Sequence, residues 1–167
     1  MDDRTQRRLT IRRGDRPGDL GWVVQTHGEV YAEQFGWGAD FEALVARIVG
    51  TDAAAGTLFI AELDGARAGC VLLVRGDDDL TGKLRVLLVA PQARGVGVAG
   101  ALVDELLRCA YSTGYRTVTL WTMDNLTAAR RVYERAGFTL EHEAPTHLFG
   151  QKLVEQTWSL TLAGPPS

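Results

Sequence analysis

The stretch Val89-Ala90-Pro91-Gln92-Ala93-Arg94-Gly95-Val96-Gly97-Val98-Ala99-Gly100 (VAPQARGVGVAG) decides how the chain is read. It holds a GxGxxG match in Gly95, Gly97 and Gly100, which alone is weak because glycines also gather in ordinary turns. Its flanks give it meaning. Lys83 to Val89 (KLRVLLV) reads as a strand, and after Gly97 the residues Ala99, Leu102, Val103, Leu106, Leu107 and Ala110 keep the spacing of an amphipathic helix that Gly114 stops. Closely spaced glycines at a helix N-terminus leave several backbone N–H groups aimed at one point, where the helix dipole also favours an anion. Side chains at Gly95 and Gly97 would block that approach, and Arg94 stands at the rim, so the stretch predicts a pyrophosphate cradle.

The order of strand, glycine loop, helix and a second strand also fits a dinucleotide fold, with Asp124, 24 residues after Gly100, as the ribose ligand. Three features count against it. Pro91-Gln92-Ala93-Arg94 separates the strand from the first glycine, where that fold turns at once; an antiparallel hairpin precedes the motif; and only 43 residues follow Asp124. The Walker pattern fails because no GK[ST] follows the glycines. A nicotinamide-dependent oxidoreductase stays as a competing reading.

Outward from this stretch, Leu9 to Arg13 reads as a strand. A helix runs from Asp19 through Leu20, Val23, Val24, Val30, Tyr31 and Phe35, with His27 on the same stripe and Gly36 and Gly38 as breakers. Asp40 is expected to cap a second helix whose inward face is Phe41, Leu44, Val45 and Ile48, closed by Gly50. Thr57 to Leu63 and Ala66 to Arg75 flank Asp64-Gly65, a strong hairpin signal. The acidic turn from Gly76 to Gly82 lacks the ligand ladder of a calcium loop and reads as a solvated tip. Arg116 to Thr122 follows its predecessor strand through a helix, so the two are expected to be parallel neighbours. Asp124 or Asn125 is expected to cap a fourth helix with Ala129, Val132, Tyr133 and Ala136 inward and Gly137 at its end. Phe138 to Glu143 and Leu153 to Leu162 finish as strands. The order β α α β β β α β α β β predicts an α/β (α+β) chain with a mixed, mostly antiparallel sheet of about seven strands and four helices, containing one central parallel pair.

With 167 residues the chain suits one domain, taken here as 1–162 with a frayed tail at 163–167. A net charge of −3 argues against nucleic-acid binding through a broad basic surface. No apolar run nears the roughly 18 residues of a membrane span, and the N-terminus lacks the apolar core of a signal peptide, so the cytoplasm is the expected location and no membrane partner is expected. Cys70 and Cys109 have no CxxC spacing and no neighbouring histidines, and read as buried free thiols rather than metal ligands.

Gln92-x-x-Gly95-x-Gly97, taken with Ala129-x-x-x-Tyr133-x-x-x-Gly137-Phe138, resembles the acetyl-CoA signature of the GNAT superfamily of N-acetyltransferases, and the element order matches that fold along nearly the whole chain. The stretch from Leu120 to Leu162 is similar to GNAT domains that follow a MarR-type helix-turn-helix module. The chain starts at the first strand of the fold, so no such DNA-binding module is expected.

The resemblance implies acetyl-CoA as co-substrate, no metal, and an amine acceptor on a small molecule or protein. Many members also dimerise, which implies a homodimer as an oligomeric option. Backbone N–H groups of Arg94, Gly95, Val96, Gly97, Val98, Ala99 and Gly100 would take the CoA pyrophosphate. The open edge of Leu87, Leu88 and Val89 would pair with the pantetheine amides, and the next strand would splay away to leave a slot for the thioester. Ala129 and Tyr133 fall on the second motif. The family's usual asparagine, seven residues before that tyrosine, would fall at Leu126, with Asn125 one place earlier.

Transfer to an amine sets three tasks. The thioester oxygen needs a donor, for which a backbone N–H near Val89 is the expected supplier. The leaving thiolate needs a proton, and Tyr133 occupies the matching position. The acceptor ammonium, with a pKa of about 10 if it resembles lysine, needs a base. His27 and His147 are the candidates singled out, beside Glu29, Tyr31, Glu141, Glu143 and a chain of waters. An acyl-CoA sensor without turnover is the competing reading from another class.

Overall fold

The computed structural model describes residues 7–162, so the expected tail at 163–167 lies outside the described residues. Seven strands form one sheet in the order β1-β2-β3-β4-β5-β7-β6. They are β1 (Leu9–Arg13), β2 (Thr57–Leu63), β3 (Ala66–Arg75), β4 (Thr81–Val89), β5 (Thr117–Met123), β6 (Thr139–Leu148) and β7 (Gln151–Thr161). The helices are α1 (Asp19–Phe35), α2 (Ala39–Asp52), α3 (Val98–Thr113) and α4 (Thr127–Ala136). Among the described strands only β4 and β5 pair in parallel, with α3 as the crossover such a pair needs. Asp64 and Gly65 take φ values of 53° and 83°, the two positive angles of a two-residue hairpin turn.

The sheet has a core on each face. Val98, Leu102, Val103 and Leu106 of α3 bury against Phe59, Val71, Leu73 and Leu120, while Val23 and Val30 of α1 and Phe41, Val45 and Val49 of α2 bury against Ile60, Cys70, Leu72 and Leu88. Successive residues of β2 and β3 serve opposite faces, which is why TLFIAEL and ARAGCVLLVR are apolar nearly throughout.

The start of α1 is pinned by Asp19, which is fully buried and accepts from Arg12 at 2.8 and 3.0 Å, from Arg67 at 2.9 Å and from the Arg16 N–H at 2.9 Å. The Arg12 guanidinium pulls the Asp19 carboxyl well below the usual carboxylate range. Because β1 supplies Arg12 and β3 supplies Arg67, α1 has a fixed station over the sheet.

Several boundaries differ from expectation. Gly38, not Asp40, is the N-cap of α2, and Asp40 sits in the first turn with its side chain accepting from the Phe41 N–H at 2.9 Å. Gly50 lies inside that helix, which runs on to Asp52 because Val49 is anchored in the core. Leu126 is the N-cap of α4, without a side-chain cap; Asp124 is spent instead on β7, donating its N–H to Val154 O at 2.9 Å and accepting the Val154 N–H at 3.1 Å. Strand β6 continues past Glu143 to Leu148, so His147 lies on a strand rather than in a loop. Pro145 is tolerated there because β6 is an edge strand. Cys70 is buried and free, whereas Cys109 is only half-buried on α3.

Candidate active site

Pairing between β4 and β5 runs only from Thr81↔Thr117 to Leu84↔Leu120; beyond Leu84 the strands part. The parting coincides with a bulge. Between the pairs Leu72↔Arg85 and Cys70↔Leu88, β3 advances two residues and β4 three. The extra residue shows in Val86, whose φ of 53° is rare for a β-branched side chain. Its carbonyl accepts from the Cys70 thiol at 3.2 Å, a contact inside the fold that holds the bulge. Ala90 donates its N–H to Ala68 O on β3, so by strand alternation the Val89 N–H faces the parted side.

The gap opens into a cavity of about 860 Å³. One wall is the freed end of β4 (Leu87, Leu88, Val89); the floor is the glycine loop and the first turns of α3; the second wall is the β5–α4 connection and α4, including Asn125, Ala129 and Val132; and α1 closes the end with Val30, Tyr31, Gln34 and Phe35. Gly95 and Gly97 have φ values of 80° and 83°, and a Cβ on either would project into open space, so the loop approaches the cavity with backbone alone. The Asn125 Oδ1 is buried without a hydrogen-bond partner. A buried acceptor left unpaired in a cavity wall is costly unless a ligand donor meets it.

Of the residues that the sequence assigned to the cofactor, all line this cavity except Val96, whose side chain points outward at 43% exposure, and Tyr133, which is 5% exposed. Tyr133 packs edge-on to Phe138 at 5.9 Å, and burial pushes its hydroxyl pKa up. His27 and His147 are not part of the cavity wall. His27 is 2% exposed, donates Nδ1–H to Val23 O at 2.7 Å, and is pulled down to about pKa 4 by burial, so it is neutral. His147 is exposed on β6 opposite Lys152. Glu29 accepts from Gln25, Glu141 from Ser159, and Glu143 from Gln156.

Among the residues named as conceivable bases, Tyr31 alone reaches the wall. Gln34 and Arg135 also line the cavity and were not singled out from sequence. Their signal was helical spacing: Gln34 follows Val30 by four, and Arg135 follows Val132 by three. With its amide oriented oxygen toward Arg94, Gln34 accepts from both terminal nitrogens of that guanidinium.

Residues 20–138 match the family model for the acetyltransferase (GNAT) family. The chain belongs to that family. Among curated relatives, the N-acetylaspartate synthetase of Danio rerio is 33% identical over 100 residues, which are 60% of this chain and 34% of that protein. The mycothiol acetyltransferase of Geodermatophilus obscurus is 39% identical over 66 residues, 38% of this chain and 21% of the relative. The chain thus spans about a third or less of the length of these two relatives. The fold is also that of yncA from Salmonella typhimurium, solved with its cofactor acetyl-CoA (TM-score 0.72, 20% identity, 95% of this chain and 98% of that one). A ribosomal-protein-alanine N-acetyltransferase from Brucella melitensis shares it too (TM-score 0.73, 18% identity, covering 92% and 99%).

Proposed function

We propose that this GNAT chain transfers the acetyl group of acetyl-CoA directly to a primary amine of a small molecule or protein, in the cytoplasm. The observation that carries the reading is the cavity lined by the freed β4 edge, the side-chain-free loop of Gly95 and Gly97, and Asn125, whose side-chain carbonyl has no partner within the fold. These groups fit acetyl-CoA in order. The loop N–H groups at the start of α3, with Arg94 beside them, suit a pyrophosphate. The edge from Leu87 to Val89 suits the pantetheine amides, and Asn125 supplies an acceptor for one pantetheine N–H despite standing one residue early in the motif.

At the inner end, the Val89 N–H faces the position of the thioester oxygen and stabilises the charge that develops there. With His27 buried and His147 on the far edge strand, the acceptor ammonium gives its proton to water at the cavity mouth before it attacks. Tyr133 falls on the motif position for protonating the departing thiolate, one layer behind the wall.

The test is thiol release from acetyl-CoA against a panel of amino acids, small primary amines, and peptides with free N-termini or lysines. CoA thiol is expected to appear only with an acceptor present. A protein whose melting temperature rises with acetyl-CoA but which releases no thiol would be a sensor. One stabilised by NAD instead would be the oxidoreductase.

A further inference from the structure

The motif tyrosine and the cavity tyrosine are different residues. Tyr133 sits behind the wall, while Tyr31 of α1 lines the cavity at the end where β4 has left β5. The Tyr31 ring is held rigidly, stacked on Phe41 at 4.5 Å between centroids and flanked by Trp37 at 5.4 Å, Phe35 at 5.5 Å and His27 at 5.8 Å. Phe149 from the β6–β7 turn braces Trp37 and Phe41 in turn, at 4.7 and 5.2 Å. Such a cluster leaves the hydroxyl little freedom, which is what a catalytic donor needs.

Three groups from other parts of the chain are near enough to couple to the charge state of that hydroxyl. The Cys70 thiol of β3 and the Arg94 guanidinium both act on its charge, and its own charge is felt by the Tyr133 hydroxyl of α4. The chemistry of this environment is that of a proton donor. Burial pushes the Tyr31 pKa up to about 12, so the phenol keeps its proton at neutral pH, while Arg94 opposes that shift and eases a transient phenolate.

We infer that Tyr31 is a catalytic residue of this chain, the hydroxyl that meets the thioester sulfur and protonates it as CoA departs. The inference rests on the acetyl-transfer reading above. In the step, the acceptor nitrogen bonds to the thioester carbon and becomes positively charged. The carbon–sulfur bond then breaks with its electron pair going to sulfur, and the Tyr31 O–H passes its proton to that sulfur to release CoA as the thiol. The surplus proton on the new amide nitrogen returns to the Tyr31 oxygen, so nothing is consumed beyond amine and acetyl-CoA.

Tyr31→Phe keeps the ring and its stacking and removes only the hydroxyl. With acetyl-CoA and the amine that releases CoA fastest from the panel, this variant is expected to lose at least tenfold in kcat, with the KM for acetyl-CoA and its calorimetric affinity within twofold of the unaltered protein. Tyr133→Phe is expected to lose less. The inference is overturned if Tyr31→Phe keeps kcat within twofold, if Tyr133→Phe carries the larger loss, or if acetyl-CoA affinity falls in step with kcat, which would mark a packing role. An unaltered protein that binds acetyl-CoA yet releases no thiol with any amine would instead overturn the transfer reading itself, and this inference with it.

Discussion

The two halves of β4 share one strand and have opposite assignments. From Thr81 to Leu84 the strand is bonded on both edges, to β3 and to β5, and Leu84 is buried at 3% exposure. From Arg85 to Val89 it is bonded to β3 alone, and from Leu87 to Val89 it lines a cavity. The first half is finished structure; the second is a sheet edge kept open. An exposed edge invites any strand-like partner, and here its end lies along the wall of a cavity. Keeping it open carries a conformational cost. The left-handed φ at Val86 is strain of order 1–3 kcal/mol, offset in part by the thiol bond from Cys70.

The contrast can be broken by substitution. In the closed half, Leu84→Ala removes a side chain packed in the α3 core and is expected to cost about 2–5 kcal/mol in denaturant unfolding, with acetyl-CoA affinity unchanged at temperatures where the variant stays folded. A comparable loss from acid would come from the closed side of α1. His27 is neutral in the folded protein with its pKa lowered from 6.5 to about 4, so the unfolded chain binds more protons between those values. Stability is therefore full above pH 6.5 and falls as pH drops toward 4, by roughly 3 kcal/mol in total. Asp19, whose pKa is also lowered, adds a further loss at still lower pH. Urea unfolding at a series of pH values checks this, and His27→Phe should flatten the first part of the curve without adding an activity limb near pH 6.5.

On the open side the sign reverses. Asn125→Leu removes a buried carbonyl that has no partner in the free protein, so it is expected to raise stability slightly, by up to about 1 kcal/mol, while weakening acetyl-CoA binding about tenfold by calorimetry. That tenfold corresponds to about 1.4 kcal/mol. The smallest effect is expected at His147, exposed on the edge strand: His147→Ala should change kcat by less than twofold in the thiol-release assay.

Much of the fold was legible because its signals are local. The spacing from Ala99 to Ala110, the Asp64-Gly65 turn and the strand–helix–strand order around β4 and β5 required no partner to be read. Boundaries went astray where a distant element decided them. Asp124 looked like a helix cap and serves β7, Gly50 looked like a stop and is carried through by the buried Val49, and the strand expected to end at Glu143 runs on through Pro145 along an edge that tolerates it. Most of the residues read from the glycine stretch line the cavity, since backbone groups and small residues at fixed spacing form a local signal. The end of the cavity that α1 closes was not legible in this way. His27 and Tyr31 lie on the same helical stripe four residues apart, and no pattern says that one is sealed in the core while the other reaches the cavity.

The sequence by itself therefore determined the succession of strands and helices along the chain, the hairpin at Asp64-Gly65 and the glycine loop at the head of α3, because each depends on signals within a few consecutive residues. Only the tertiary structure decided where β4 leaves β5, which tyrosine faces the gap and which histidine is silenced. Those outcomes depend on the packing of α1, β3 and the β6–β7 turn around one another, and burial, unlike periodicity, is a property of neighbours that are far apart in the chain.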